Sequence, residues 1–195
     1  MNPRRIVLAS GSPRRKAMLE TAQWHVDVRP PSIDDGTLDA CGTHPQRWTM
    51  AMAWLKAKAV LDDPRTQSGE VLLAADTVCT VDNVVFGQPR NRDHARYMLC
   101  AMRGRVHDVW TGMCVLPVGR ARCMGAAVAR VHVGDLADAD IEGYLDTDQW
   151  GGKAGGYNLS DRIDAGWPVH CEGEPEAVMG LSMNLLEQLM QEAVA

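Results

Sequence analysis

Two short runs of consecutive apolar residues predict the first buried strands of this chain. Ile6–Ala9 is one run, and the Ser-Gly-Ser-Pro segment after it predicts a tight turn followed by a helix. Ser12 suits the N-cap of that helix and Pro13 its first position. The second run, Val71–Ala75, is typical of a strand buried on both faces, and we expect it to end at Asp76-Thr77.

Apolar residues at helical spacing predict the main helices. One helix should begin near Pro45, with an apolar stripe that has Lys56 near its edge; the stripe is Trp48, Met52, Leu55 and Ala59. Asn91 is a candidate cap for a helix closed by Gly104, a short helix should contain Ile141, and a last helix should run from Ser182.

The remaining segments predict further strands and one glycine-rich loop. Asp82-Asn83 is a candidate hairpin turn between Val78–Val81 and Val84–Phe86. Longer strands are expected around Val106–Leu116 and Cys123–Val133, and the glycines of Trp150–Tyr157 indicate a loop or strained turn. Strands and helices thus mix as in an α/β fold, and without a clear linker or repeat we predict one domain over residues 1–195.

Composition and charge narrow the class of protein. The chain has 195 residues, 46% of them hydrophobic and 23% charged, as in an ordinary globular protein. Its net charge of −5 argues against broad binding to nucleic acid, although a small phosphorylated ligand needs only a local cationic pocket. The six cysteines form no Cys-x-x-Cys pair, and no apolar run reaches the length of a signal peptide or membrane span. We therefore expect a cytoplasmic protein with reduced thiols and no membrane or nucleic-acid partner.

The segment Ser10–Arg15 has the chemistry of a phosphate-binding loop. Backbone N–H groups and the positive end of the helix dipole converge at a helix start, and here hydroxyls and the guanidinium groups of Arg14 and Arg15 would add further hydrogen bonds. The alternative is an ordinary capped helix with solvated arginines, and this segment alone does not decide between them.

Several other charged residues have a functional and an ordinary interpretation. Asp76, at the expected end of a strand, could hold Mg²⁺ or Mn²⁺ or accept a proton from water, or it could merely begin a turn. Asp34-Asp35 could add a second carboxylate near the metal, and Lys56 and Lys153 could reach phosphates; each is otherwise a solvated surface residue. The histidines show no metal-ligand spacing, and Gly-x-Ser-x-Gly and Walker motifs are missing, so a zinc site, a serine hydrolase and a P-loop enzyme are disfavoured.

The order of these motifs along nearly the whole chain resembles the Maf nucleotide pyrophosphatases. The matching segments are Leu8–Arg15, Asp34-Asp35 in place of Asp-Glu, Met52–Ala57, Ala75-Asp76-Thr77, Gly87-Gln88-Pro89, Gly104 with His107 and Thr111, Lys153–Tyr157, and Gly180-Leu181. Eight ordered matches are far more specific than any one of them. The resemblance implies a fold of the Maf/ITPase-like kind, with an elongated mixed α/β sheet flanked by helices and two lobes around a substrate cleft.

The resemblance also implies an activity, a cofactor and an assembly. Members of this family convert a nucleoside triphosphate to the monophosphate and pyrophosphate with a divalent metal, Mg²⁺ or Mn²⁺, and are often homodimers. Asp76 would be the general base or a metal ligand, with Asp35 as a second ligand. The residues that would bind substrate are Ser10, Ser12, Arg14, Arg15, Lys56 and Lys153.

A few positions bear on the choice of substrate and on activity. Arg14 and Thr77 resemble the dTTP/UTP branch of the family, whereas the 7-methyl-GTP branch has Trp before the arginines and Gln after the Asp. Ser160 stands where the dTTP/UTP branch has Gln, and Gln88 replaces a family lysine. These departures leave two alternatives to a dTTP/UTP pyrophosphatase: a catalytically weakened nucleotide-binding protein and a 7-methyl-GTP pyrophosphatase.

Overall fold

The computed structural model describes residues 4–33, 38 and 40–194, which contain seven strands and seven α-helices. The strands are β1 (Arg5–Leu8), β2 (His25–Val28), β3 (Val71–Val81), β4 (Val84–Phe86), β5 (Val106–Pro117), β6 (Cys123–Val133) and β7 (Val169–Glu172). The helices are α1 (Pro13–Thr21), α2 (Pro45–Leu61), α3 (Arg92–Met102), α4 (Asp138–Leu145), α5 (Leu159–Asp164), α6 (Pro175–Val178) and α7 (Met183–Val194). A 3₁₀ turn, Ala154–Gly156, lies between α4 and α5.

The strands form one mixed sheet in the order β2-β1-β3-β5-β6-β7, with β4 paired to β3 off this path. Strand β1 is parallel to both of its neighbours, and its register with β3 pairs Leu8 with Leu73. Strand β4 is antiparallel to β3, and β7 is antiparallel to β6. The predicted mixed sheet flanked by helices is therefore confirmed.

The chain divides into two compact units. The first takes in Met1–Asp76, Thr111–Ala127 and Gly180–Ala195; the second takes in Thr77–Trp110 and Val128–Met179. In the part that the structure describes, the first unit contains two hydrophobic core clusters, and the second unit contains one.

In the first unit, alternate residues of β1 and β3 pack against helices on opposite faces of the sheet. Leu8 and Leu73 share one core with Leu19 of α1 and Leu186 of α7. Val7, Leu72 and Ala74 share the other core with residues of α2, namely Ala53, Ala57 and Val60. Both strands are therefore buried on two faces, as the unbroken apolar runs predict.

The second unit packs around the methionine-rich face of α3. Met98, Leu99 and Met102 lie in a core with Val81 and Phe86 of the β3–β4 hairpin. The hairpin turn has positive φ at both Asp82 and Asn83, 48° and 66°, as a two-residue turn between twisted strands requires. Other members of this core come from α4 and the segment before α5: Ile141, Tyr144, Leu145 and Tyr157.

The expectation that the second buried strand ends at Asp76 is wrong. Strand β3 continues without a break to Val81, and Val78, Cys79 and Val81 are as buried as the residues before Asp76. No glycine or proline interrupts this stretch, so one strand can continue through it. A single long strand also buries more apolar surface than two short ones.

Most other predicted elements are confirmed, but four short ones were missed. Asn91 caps α3, Gly104 follows it with a positive φ of 67°, and the strands β5 and β6 lie within a residue of their expected bounds. The sequence pattern does not predict β2, α5, α6 or β7, which have four to six residues each. Within the described part of the chain, no helix combines the length and apolarity that crossing a membrane would require.

Candidate active site

The loop between β1 and α1 is built by hydrogen bonds among its own polar residues. Ser12 caps α1, and its Oγ accepts from the backbone N–H of Arg15 at 3.4 Å. The Oγ of Ser10, a residue only 5% exposed, accepts from the Ser12 N–H at 3.2 Å and from the Arg15 Nη1 at 3.0 Å. Both hydroxyl oxygens thus act as acceptors inside the loop, so the proton of each is the group it can donate to a phosphate oxygen.

Arg15 ties this loop to the rest of the first unit. Its Nε donates to the carbonyl oxygen of Gly180 at 2.8 Å, just before α7. Arg14 is half-buried in the first turn of α1, where the helix dipole adds positive potential. The structure therefore brings three predicted residues, Ser10, Ser12 and Arg15, into one preorganised loop at a helix N-terminus.

Strand alternation decides where Asp76 points. Leu72 and Ala74 face α2, and the next residue on that face of β3 is Asp76. Its Oδ1 accepts a hydrogen bond from Nζ of Lys56, a residue of α2, at 2.7 Å, and the side chain of each residue is 12% exposed. Two predicted site residues thus form a nearly buried ion pair. Asp76 lies in the middle of β3 rather than at its end.

The position of Lys56 corrects the expected orientation of α2. Leu55, assigned by periodicity to the apolar stripe, is 41% exposed, while Thr49, Met52, Ala53, Ala57 and Val60 are buried. Lys56 thus lies on the packed side of α2 rather than near the edge of its apolar stripe. Small residues, Ala53 and Ala57, line this side, because the helix approaches the sheet closely.

A glycine of β5 sets how closely α2 approaches. A Cβ added to Gly112 would lie 2.3 Å from the carbonyl carbon of Thr49 and 2.4 Å from the backbone nitrogen of Met50. The Thr49 side chain is fully buried and donates to the Pro45 carbonyl at 2.9 Å. Sequence reasoning missed this contact, although a glycine inside an apolar strand is a sign of close backbone approach.

The second unit contains the other predicted site residues. Gln88 and Ser160 are exposed, and Thr77 is half-buried. The Ser160 hydroxyl donates to Oδ1 of Asn158 at 2.9 Å, and the same oxygen caps α5. Lys153 is only 12% exposed; its ammonium donates to the Gln149 carbonyl and lies 3.7 Å from Asp161.

Hydrogen bonds link the lysine segment, Lys153–Tyr157, to its surroundings in the second unit. The Gly155 N–H donates to the Gly87 carbonyl at 3.0 Å, which joins this segment to the turn that carries Gln88. The hydroxyl of Tyr157 and Nε2 of His107 share a hydrogen bond of 2.8 Å. Burial lowers the pKa of His107 to about 4 and raises that of Tyr157 above its ordinary value, so both groups are neutral near pH 7.

Asp76 has one carboxylate oxygen that could contribute to a divalent-metal site. Lys56 contacts Oδ1, and Oδ2 is a hard oxygen donor of the kind that Mg²⁺ and Mn²⁺ prefer. Among the described residues, no group of three or more His, Cys, Asp or Glu side chains could hold a metal ion. The predicted second ligand, Asp35, and its neighbour Asp34 lie outside the described residues.

The first unit contains both a serine- and arginine-bearing helix start and a nearly buried carboxylate–lysine pair. A helix N-terminus of this kind is a ready site for anionic groups such as phosphate. The chain belongs to the Maf family, since the family model described as "Maf-like protein" matches residues 5–193.

Relatives support the same membership. A dTTP/UTP pyrophosphatase of Rhodopirellula baltica is 36% identical over 97% of this chain and 82% of that protein. One from Pyrococcus furiosus is 31% identical over 96% of this chain and 95% of its own. The solved Staphylococcus aureus Ham1 protein covers 68% of this chain and 73% of its own, with 14% identity and a TM-score of 0.45, too low for a functional comparison.

Proposed function

We propose that this chain is a nucleoside triphosphate pyrophosphatase that hydrolyses dTTP or UTP to the monophosphate and pyrophosphate. The observation that carries the proposal is the nearly buried Lys56–Asp76 pair in the same unit as the Ser10–Arg15 loop. The relatives named dTTP/UTP pyrophosphatases, which come from bacteria and from an archaeon, support the substrate.

In the proposed reaction, a water oxygen attacks the α-phosphorus and the bond to the bridging α–β oxygen breaks. Asp76 accepts the proton of the attacking water, and pyrophosphate leaves with the electrons of the broken bond. Lys56 fixes the orientation of the Asp76 carboxylate through its contact at 2.7 Å. The residues that would neutralise the phosphate oxygens are Ser10, Ser12, Arg14, Arg15 and Lys153.

We also propose a divalent metal, Mg²⁺ or Mn²⁺, with Asp76 and Asp35 as its protein ligands. Such ions bind through one or two carboxylates together with substrate phosphates, and when bound they offset the negative charge of the triphosphate. Asp35 is one methylene shorter than the family glutamate, which would favour a contact through water. Removal of the metal with a chelator should stop pyrophosphate release, and added Mg²⁺ or Mn²⁺ should restore it.

Replacing Asp76 by asparagine tests the proposed chemistry. Asparagine is isosteric but a poor proton acceptor, so the rate of pyrophosphate release from dTTP or UTP should fall by about a hundredfold or more. The matched control is Asp62→Asn, which removes an exposed carboxylate that pairs with Lys58. Because Asp76→Asn leaves Lys56 without its carboxylate, unfolding should be measured in both variants. If the unaltered protein cleaves no triphosphate, canonical or modified, the proposal fails.

The base preference is tested by comparing rates on dTTP, UTP and 7-methyl-GTP. Arg14 and Thr77 favour the pyrimidine triphosphates, whereas Ser160 lacks the amide with which Gln would hydrogen-bond a base on two sides. Faster cleavage of 7-methyl-GTP would assign the chain to that alternative.

The second candidate is a nucleotide-binding protein with weakened catalysis, because Gln88 replaces a cation. A site can keep ground-state contacts after it loses those specific to the transition state. This candidate predicts nucleotide binding in calorimetry without turnover.

Two further parts of the proposal are a homodimer, on the basis of the family resemblance, and a cytoplasmic location, on the basis of the cysteine spacing. Light scattering coupled to size-exclusion chromatography, and cell fractionation, test them.

A further inference from the structure

We propose that Tyr157 and His107 are positioning residues that hold Lys153 in place for the triphosphate. This proposal rests on the proposed function, since it assigns Lys153 to substrate binding. All of the contacts that carry it lie within the second unit.

The first contact is a buried hydrogen bond at the end of the lysine segment. Tyr157 is 7% exposed and His107, on β5, is 2% exposed, so their shared bond of 2.8 Å is shielded from water. The two rings also meet edge to face, with centroids 5.7 Å apart and an angle of 82° between the planes. A buried polar pair of this kind is costly to break, because each partner would be left unsatisfied.

Two further contacts fix the residues between Lys153 and Tyr157. The Tyr144 hydroxyl donates to the Gly156 carbonyl at 3.0 Å, so α4 holds the segment from another side. Gly155 has a φ of 68°, and a Cβ added to it would lie 2.8 Å from Sγ of Cys79. The segment is therefore pressed against β3 at a point where only glycine fits.

These anchors matter for Lys153 because the segment is so short. Lys153 and Tyr157 are only four positions apart, so a displacement at the tyrosine moves the backbone that carries the lysine. A lysine side chain otherwise has many rotamers, and a fixed backbone reduces the entropy lost when its ammonium binds a phosphate. Loss of the anchor should therefore weaken substrate binding more than it slows the chemical step.

Tyr157→Phe tests the proposal, since it removes one hydroxyl and keeps the buried ring. We expect KM for dTTP or UTP to rise about fivefold or more, with kcat changed less than about twofold. In a Lys153→Ala background the same substitution should change KM no further, because its effect passes through the lysine. Tyr97→Phe is the matched control, since Tyr97 is 58% exposed on α3.

His107 provides a second and independent substitution. His107→Phe should raise KM as Tyr157→Phe does, and the double variant should show little more than either single change, because both remove the same bond. His107→Gln, whose amide can still bond the tyrosine hydroxyl, should recover part of the loss.

Trypsin gives a readout that does not depend on activity. It cleaves after Lys153, and a loosened segment should be cut faster in Tyr157→Phe than in the control, while the melting temperature stays well above the assay temperature.

The outcomes separate this proposal from the proposed function. Two results would overturn the positioning role. One is a rise in KM with Tyr157→Phe that is equal with and without Lys153. The other is a rise in KM in the double variant Tyr157→Phe/His107→Phe that equals the two single effects combined. If the unaltered protein releases no pyrophosphate, the proposed function fails instead. Unchanged trypsin cleavage in Tyr157→Phe would then count separately against the anchoring of the segment.

Discussion

At the scale of single residues, the candidate site depends on the nearly buried ion pair between Lys56 and Asp76. Sequence motifs pointed to both, but their spacing of twenty positions does not say that they meet. The contact exists because strand alternation turns Asp76 toward α2 and because α2 packs its small-residue side on the sheet. A carboxylate this buried is stabilised by its partner, and removal of either partner alone leaves a costly buried charge.

Position 88 bears on the proposed catalysis, because the family resemblance implies a lysine where this chain has Gln88. The preceding carbonyl, that of Gly87, accepts a hydrogen bond from the lysine segment at Gly155. A cation at position 88 would thus lie on a turn bonded directly to that segment.

Gln88→Lys should therefore raise kcat/KM for dTTP or UTP by about tenfold or more, since one preorganised donor contributes this much or more to the transition state. Gln188→Lys adds the same charge at an exposed position of α7 and should leave the rate unchanged. An equal rate for Gln88→Lys and the unaltered protein would show that position 88 does not contact the reacting phosphates.

Among the elements, α2 is the one whose exact placement matters most for the site. Its backbone at Thr49 and Met50 approaches Gly112 so closely that no side chain fits between them. Two helical turns further along, the same helix carries Lys56 to Asp76. A change in the distance between α2 and β5 should therefore displace Lys56 relative to Asp76 and disturb the ion pair.

Gly112→Ala should force α2 away from the sheet, destabilise the protein by roughly 1–3 kcal/mol and lower kcat/KM. Gly143→Ala is the control, and it should stabilise the protein rather than destabilise it. Nothing lies within 4 Å of the added Cβ, and alanine favours helix α4 by about 0.5–1 kcal/mol. Chemical denaturation and steady-state kinetics measure both effects. A Gly112→Ala variant as stable as the unaltered protein would contradict this account of the packing.

Element prediction from sequence succeeded where the local signal was strong. The cap at Asn91, the Asp82-Asn83 turn and the start of α2 at Pro45 are set by residues within a few positions. It failed for β2 and β7, whose exposed and intermediate residues carry little apolar signal and which exist as strands because a distant strand pairs with them.

At the scale of the whole molecule, the structure resolves two units with separate cores, joined by strands that run through both. One domain over residues 1–195 and a substrate cleft stay predictions. His107, which is buried in the second unit, also affects overall stability, because burial favours its neutral form in the folded protein.

Burial lowers the pKa of His107 from 6.5 to about 4, with Asp108 opposing and His132 adding to this effect. Between these values the unfolded chain binds more protons than the folded one, so stability falls as the pH is lowered from about 6.5 to 4. The loss from this residue is on the order of 3 kcal/mol. His107→Gln, which cannot titrate, should show a shallower decline in denaturant midpoints between about pH 7 and pH 4.5. Parallel declines in the two proteins would contradict this role.

The sequence by itself determined the alternation of strands and helices, the capped loop Ser10–Arg15 and the identity of the charged residues, because caps, turns and periodicity act over a few neighbouring positions. Only the tertiary structure decided that β3 continues past Asp76, that Lys56 faces the sheet and that Tyr157 meets His107. These facts depend on contacts between residues twenty to fifty positions apart. Such contacts form only when whole faces of strands and helices pack together.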